Sequence, residues 1–297
     1  MGRALAGLLA LALLAGCGRA PPPPEPRYHL GEPWRQGPLW AYPREDFALD
    51  QTGIAALLPR RAGASLTANG ERREDGMFAA HPTLQLPAIV TVTNLENGRA
   101  LRVRVNDRGP AEPGRVIAVA PRAAALLGAA GPFQARVVID AEASRAAIAG
   151  LAGQAEALPV AAAPVGEVGR EALAPPPGAR GLATAAPRPV RPAVQAVAAT
   201  PTARPPERLP EQVTQGAPRP GLLWVEAGTY FNRQLAAREA ARLSAGRVEP
   251  LGVAGGPRGR QQQFRVRAGP YRSLAEADAA LARAIAVGLT ELRLVVD

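Results

Sequence analysis

The sequence predicts a small, mainly β barrel joined by a Pro- and Ala-rich linker to a small α+β unit of order β-α-β-β-α-β. Three observations lead there. Between about Gly53 and Asp140 the runs AIVTVTN, ALRVRVN, RVIAVA and ARVVID are short and β-like, with turn signals between them and a single helix-like stretch, PRAAALLG. Residues 141 to about 220 are nearly devoid of aromatics and carry APPPGAR, APRPVRPAVQ and TPTARPPERLP. Such a composition buries too little apolar area to offset the entropy of ordering, so it reads as a disordered, partly polyproline II linker. After residue 220 the apolar period switches between two and three to four, strand and helix in turn.

From the N-terminus, Arg3 and the apolar run 4–15 (ALAGLLALALLA) form the n- and h-regions of a signal peptide, too short for a permanent span. It ends in LAGC, which resembles the lipobox of bacterial lipoproteins; that resemblance implies a signal peptide over 1–16 and acylation of Cys17, the sole cysteine. An ordinary secretory signal with an incidental Cys is the alternative. Gly18 after the Cys implies the outer membrane, with the protein facing the periplasm and held by outer-membrane lipid through acylated Cys17. Residues 17–26 form a Pro-rich tether. The net charge of +10 rests on 35 basic residues, all Arg. A Lys-free, Arg- and Ala-rich chain reads as compositional bias; the charge favours anionic surfaces without arguing for nucleic acid.

Residues 27–52 carry Trp34, Trp40, Tyr42 and Phe47 and are expected to pack onto the barrel. Asn97-Gly98 sets a hairpin turn between two strands. In ALRVRVNDRGP, Leu101, Val103 and Val105 alternate with polar residues, so Asp107 falls on the inward parity where Arg108-Gly109-Pro110 breaks the strand. An inward carboxylate there must be paired or have a task that uses its partial desolvation. Asn106 and Arg108, on the other parity, read as turn and surface residues. Pro121 opens the helix and Gly128 stops it. In the last part, LLWVEAGTY, RVEPLGV, QQFRVRAG and ELRLVVD read as strands. RQLAAREAARLSA reads as a helix with Leu235 and Leu243 in its apolar stripe, and 273–288 as a second helix with a Ser273/Glu276 capping box. This order is the ferredoxin-like split.

The segments TANGE (67–71), AAHPTLQLP (79–87), VTVTNLENGR (90–99), VRVNDRGP (103–110) and GRVI (114–117), in that order, resemble the rare lipoprotein A (RlpA) family. The C-terminal unit, with GTYFNRQLAAREAARL and FRVRAGPYRSLAEADAAL, resembles a SPOR domain. The resemblance implies a double-psi β-barrel over 27–140 with its N-terminal extension, a linker over 141–220, and a peptidoglycan-binding SPOR domain over 221–297. The implied reaction is cleavage of the β-1,4 bond between N-acetylmuramic acid and N-acetylglucosamine in glycan strands poor in stem peptides, leaving 1,6-anhydro ends, in septal cell-wall remodelling.

That chemistry suits a single carboxyl group. Hydrolases flank the bond with two carboxylates; here the sugar's own 6-hydroxyl is the nucleophile, so one group can give a proton and take one back. The resemblance assigns the site to Asp107, His81 and Glu71. Asp107 is the general acid/base, or an Asp capping its own Arg-Gly-Pro turn. His81 hydrogen-bonds Asp107 or the sugar, or is a packed, satisfied histidine. Glu71 shares the proton chemistry or caps the turn after Asn69-Gly70. The sequence departs from the family where a Trp-Tyr-Gly strand is replaced by TGIAALLPRR, and where Ala118 stands at an acidic position. Phe78 and Phe133 are the only aromatics in 53–140, so aromatic platforms for a sugar would come from Trp34, Trp40 or Tyr42. In the SPOR-like unit, parity turns Val225, Ala227, Val266 and Ala268 toward the helices. It turns Trp224, Glu226, Gln263, Arg265 and Arg267 to an open, glycan-binding sheet face.

Two functions of different class follow: an outer-membrane-anchored lytic transglycosylase at the division septum, with septal division proteins as partners, or a non-catalytic glycan-binding lipoprotein with a degenerate or expansin-like barrel. RNA binding fails on compartment and on the missing pair of stacking aromatics. One Cys and two His at unrelated positions offer no metal-ligand spacing, and no cofactor motif occurs, so neither a metal nor a cofactor is expected.

Overall fold

The computed structural model describes residues 23–60, 65–152, 208–256 and 259–297. The expected signal peptide, Cys17 and most of the expected linker lie outside these residues. No described helix is long and apolar enough to cross a membrane.

A short hairpin, β1 (Trp34–Gln36) and β2 (Leu39–Ala41), precedes the barrel. Six strands follow: β3 (Asp50–Leu57), β4 (Phe78–Ala80), β5 (Ala88–Asn94), β6 (Arg99–Asp107), β7 (Arg115–Val119) and β8 (Phe133–Ile139). Their order β4-β7-β3-β8-β5-β6 closes on itself because β4 also pairs with β6. The β3–β7 and β4–β6 pairs are parallel and the other pairs antiparallel. Closure gives every strand of the ring two neighbours, while the start of β6 is left without a barrel partner on the side away from β5. Alternation fills it: Val90, Val92, Leu101, Val103, Val105, Ile117, Val119 and Val137 share one buried cluster. The hairpin turn lies at Asn97-Gly98, where Gly98 takes φ +77°. Helix α1 (Pro121–Leu126) has Pro in its first turn, and Gly128 behind it is left-handed at φ +70°.

The expected linker is ordered at both ends. Residues 141–152 form α2 (Ala141–Ala152), fixed to the barrel by Ser144, whose hydroxyl accepts from Ile89 N at 2.9 Å and donates to Ile89 O at 3.2 Å. At the far end β9 (Val213–Gln215) pairs antiparallel with Arg99–Leu101 of β6. It occupies the length of that strand's edge that β4, paired with Arg104–Asp107, leaves open.

The C-terminal unit runs β10 (Leu223–Tyr230), α3 (Arg233–Arg242), β11 (Gly246–Gly256), β12 (Gly259–Tyr271), α4 (Leu274–Ala286) and β13 (Arg293–Val296). Its antiparallel sheet has the order β11-β12-β10-β13. Val225, Ala227, Val266 and Ala268 pack against the small residues Ala236, Ala240, Ala277 and Ala284 of the helices. Leu235 is exposed, contrary to expectation: the buried stripe of α3 runs through Ala236, Ala240 and Leu243, one position on. Asn232 caps α3 and Ser273 caps α4, while Glu276 reaches back to Arg272 N rather than to Ser273.

This unit packs directly on the barrel. Leu39 and Ile54 join its apolar cluster, and Leu294 N donates to Gly114 O at 3.2 Å. Arg115 grips Asp278 with two hydrogen bonds of 2.7 and 2.8 Å. Close approach needs missing side chains: a Cβ on Gly53 would lie 2.4 Å from Val116 Cγ1 and 2.7 Å from Leu294 O.

Candidate active site

The site grows from the end of β6 and the loop 65–73 that covers it. The Asn69-Gly70 turn, with Gly70 at φ +83°, folds this loop so that Asn69 N donates to Asn106 O and Ala68 N donates to Asp107 Oδ1 at 2.9 Å. Asp107, the last residue of β6, is 8% exposed. Its Oδ1 also accepts from Arg108 N at 3.0 Å, while Oδ2 pairs with the Arg73 guanidinium. The inward carboxylate at the strand end is therefore paired, yet it keeps an exposed edge.

Glu71 is 1% exposed and saturated. Its carboxylate accepts from Arg104 Nε and Nη2 (3.0, 3.2 and 2.7 Å), from Asn69 Nδ2 at 2.8 Å and from Asn106 Nδ2 at 2.9 Å. A buried ion pair is tolerable only with its remaining lone pairs satisfied, and here they are. Glu71 thus pins the loop to β6 and so sets where Ala68 N and Arg73 meet Asp107.

His81 is fully buried. Its Nδ1 accepts from Thr83 N at 3.1 Å and Leu84 N at 3.0 Å, so the ring proton sits on Nε2. Gln51 Nε2 lies 3.0 Å from it, and the Gln51 amide turned end for end presents Oε1 as the acceptor of that proton. Burial, then the nearby charges of Arg108 and Arg44, push the imidazole down to about 3. His81 is neutral across the range in which cells live. Its backbone N donates to Asp107 O at 3.1 Å. Among the described residues no hydrogen bond joins the side chains of Glu71, His81 and Asp107. The first and last are linked through the loop, the second only through backbone.

Two residues read as peripheral are structural. Asn106 is buried on Glu71. Arg108 donates to the carbonyl oxygens of Leu84, His81 and Leu30, and burial lowers it to about 10. Arg73, Arg104, Asn69 and Gln51 were not legible as site residues. The one signal was the Asn-Gly turn beside Glu71, which marks a tight loop without saying what it covers. No group of His, Cys, Asp and Glu among the described residues is arranged to hold a metal ion.

The SPOR-like sheet face keeps its expected parity but is not open. Trp224 is 7% exposed because Arg267 and Arg247 stack on its ring at 3.9 and 5.0 Å. Glu226 is 3% exposed and paired with Arg293. Arg265 and Arg267 both pair with Glu249 and Asp297, and Gln263 is half-buried. Neighbouring strands and the C-terminus supply a cover that strand parity cannot reveal.

A closed six-stranded barrel with a carboxylate at a strand end, carrying a β-α-β-β-α-β unit, defines a class, and comparison with known proteins agrees. The family model described as lytic transglycolase matches residues 50–140, and that of the SPOR domain matches residues 220–289. The chain is a double-psi β-barrel lytic transglycosylase with a SPOR domain. Among curated proteins it is 33% identical over 245 residues to the endolytic peptidoglycan transglycosylase RlpA of Pseudomonas aeruginosa strain PAO1, covering 79% of this chain and 68% of that protein. The RlpA of Salmonella typhimurium is 37% identical over 120 residues, 38% of this chain and 32% of that protein. That of Neisseria meningitidis is 44% identical over 91 residues, 30% of this chain and 38% of that protein. The chain belongs to the RlpA family.

Proposed function

We propose that this enzyme cleaves the β-1,4 bond between N-acetylmuramic acid and N-acetylglucosamine in stem-peptide-poor peptidoglycan strands, leaving 1,6-anhydro ends, with Asp107 as its acid and base. The observation that carries this is the Asp107 carboxyl group, fixed at a strand end by Ala68 N, Arg108 N and Arg73 while retaining an exposed edge. Protonated Asp107 donates to the glycosidic oxygen as the C1–O bond breaks. The muramoyl 6-hydroxyl closes on C1 and gives its proton to Asp107, so the carboxyl group returns to its starting form and no water is consumed. Arg73 balances the carboxylate between the two proton transfers.

Glu71 and His81 act as positioning residues in this reading. The five hydrogen bonds on Glu71 leave it no lone pair to offer a substrate, and both ring nitrogens of His81 are engaged. The SPOR domain retains the enzyme on glycan through its sheet face, whose accessible surface is offered by Gln263, Arg265 and Arg267 lying beside the covered Trp224 and Glu226. Acylated Cys17 anchors the protein in outer-membrane lipid on the periplasmic side, and septal enrichment places it among division proteins.

The test is muropeptide analysis of denuded glycan incubated with the protein and with Asp107→Asn. New 1,6-anhydro ends that vanish in the variant are the expected result. Glycan that co-sediments with the protein yet yields no product would favour a non-catalytic glycan binder instead.

A further inference from the structure

Between the β1–β2 hairpin, the barrel and the edge of the SPOR domain lies an open cleft of about 690 Å³. Both domains line it: Trp40, Tyr42, Gln51 and His81 from the barrel side, Thr229 and Glu291 from the SPOR side. At 47% and 62% exposed, Trp40 and Tyr42 are the most exposed aromatics among the described residues. Leaving a Trp so open costs apolar surface in water unless a partner covers it.

The strand holds Trp40 in that position. Leu39 and Ala41 on either side are buried, and Leu39 belongs to the SPOR domain's apolar cluster, so Trp40 is forced outward between two anchors. Arg35 stacks on its ring at 5.0 Å, which orders it. A pyranose ring has an apolar face of C–H groups and a rim of hydroxyls and amides. It needs flat aromatic surface flanked by donors and acceptors, and the cleft supplies these through Trp40, Tyr42, Gln51, Thr229 and Glu291. Arg44 and Arg293 at its margin are largely exposed and suit the carboxylates of muramoyl units. At the barrel end the cleft reaches His81, whose backbone N–H holds the Asp107 carbonyl.

We propose that this cleft is a glycan subsite shared by the barrel and the SPOR domain, which grips a short run of β-1,4-linked N-acetylhexosamines beside the bond to be cut. It rests on the reading of the chain as a glycan-cleaving enzyme and adds where the strand lies. The bound sugar is held by both domains at once, so their docking through Arg115–Asp278 is part of the site.

The test is calorimetric titration of the full-length Asp107→Asn protein with chitohexaose, an uncharged β-1,4-linked N-acetylglucosamine oligomer. The expected result is saturable binding that Trp40→Ala combined with Tyr42→Ala weakens by about tenfold or more, and that Trp40→Phe largely preserves. Both side chains are exposed, and unchanged thermal unfolding of the variants excludes loss of fold as the cause. Equal affinity in the double variant overturns the proposal, as does absence of binding by the parent at millimolar sugar. An Asp107→Asn protein that still forms 1,6-anhydro ends sinks the catalytic reading instead, and leaves the affinity result standing.

Discussion

Replacing His81 by Asn, whose Oδ1 can take the place of Nδ1 as acceptor, separates a structural histidine from a titrating one. The fold holds the imidazole at about 3 against 6.5 in the unfolded chain, because burial disfavours the charged form and a proton on Nδ1 would break the bonds from Thr83 N and Leu84 N. The folded value is depressed, so His81 contributes its full stability above 6.5 and loses it as pH falls from 6.5 toward 3. Over that window the unfolded chain binds a proton that the native state refuses, and stability falls by about 1.4 kcal/mol per pH unit. Between about pH 7 and pH 5 this amounts to roughly 2 kcal/mol. Urea unfolding of the parent and of His81→Asn at both pH values reads the effect as a difference of differences. His29, which burial also depresses, is present in both proteins and cancels. The parent should lose roughly 2 kcal/mol more than the variant on acidification. Equal losses would mean that His81 titrates normally in the fold, and the assignment of a neutral, positioning imidazole would be wrong.

Other perturbations test the remaining parts. Glu71→Gln leaves Arg104 buried without its counter-charge and should cost about 3–5 kcal/mol in urea unfolding, with any residual activity retaining its pH optimum. Asp107→Asn should abolish 1,6-anhydro ends while the protein still folds with a lowered thermal midpoint, because the amide oxygen can still accept from Ala68 N but Arg73 loses its counter-charge. Gly53→Ala drives a methyl group into Val116 and the Leu294 carbonyl, and should loosen the SPOR domain from the barrel. Hydrogen exchange at the Leu294 amide of β13, which donates to the Gly114 carbonyl, should rise while the interior of β5 stays protected.

Much of the fold can be read locally. AIVTVTN coincides with β5, the alternation in ALRVRVN predicts the buried side of β6, and Pro121 and Gly128 bracket α1. These features depend on neighbours within a few residues. The features that could not be read depend on distant ones. Arg104 and Asn106 have the parity of surface residues and are buried only because loop 65–73 folds over them to deliver Glu71. Trp224 has the parity of an open sheet face and is covered by Arg247 and Arg267 from two other strands. Val213–Gln215 carries no alternation to announce a strand, and pairs because β6 has an unfilled edge. Of the site, the strand-end position of Asp107 was legible; its partner Arg73 was not, since nothing in the chain ties residue 73 to residue 107.

The small strand β9 changes what keeps the enzyme whole. It returns the chain to the start of β6, the same strand whose other end carries Asp107, and Gly216 N then donates to Gly98 O at 2.8 Å and Arg219 N to Leu95 O at 2.8 Å. The polypeptide is thus fastened to the barrel both before residue 153 and after residue 207, and again where β13 meets β3 and β7. A protease that severed the intervening stretch would produce two fragments that remain mated. The catalytic barrel would keep its glycan-holding partner through an interlocking joint, with the peptide bond no longer the bond that matters.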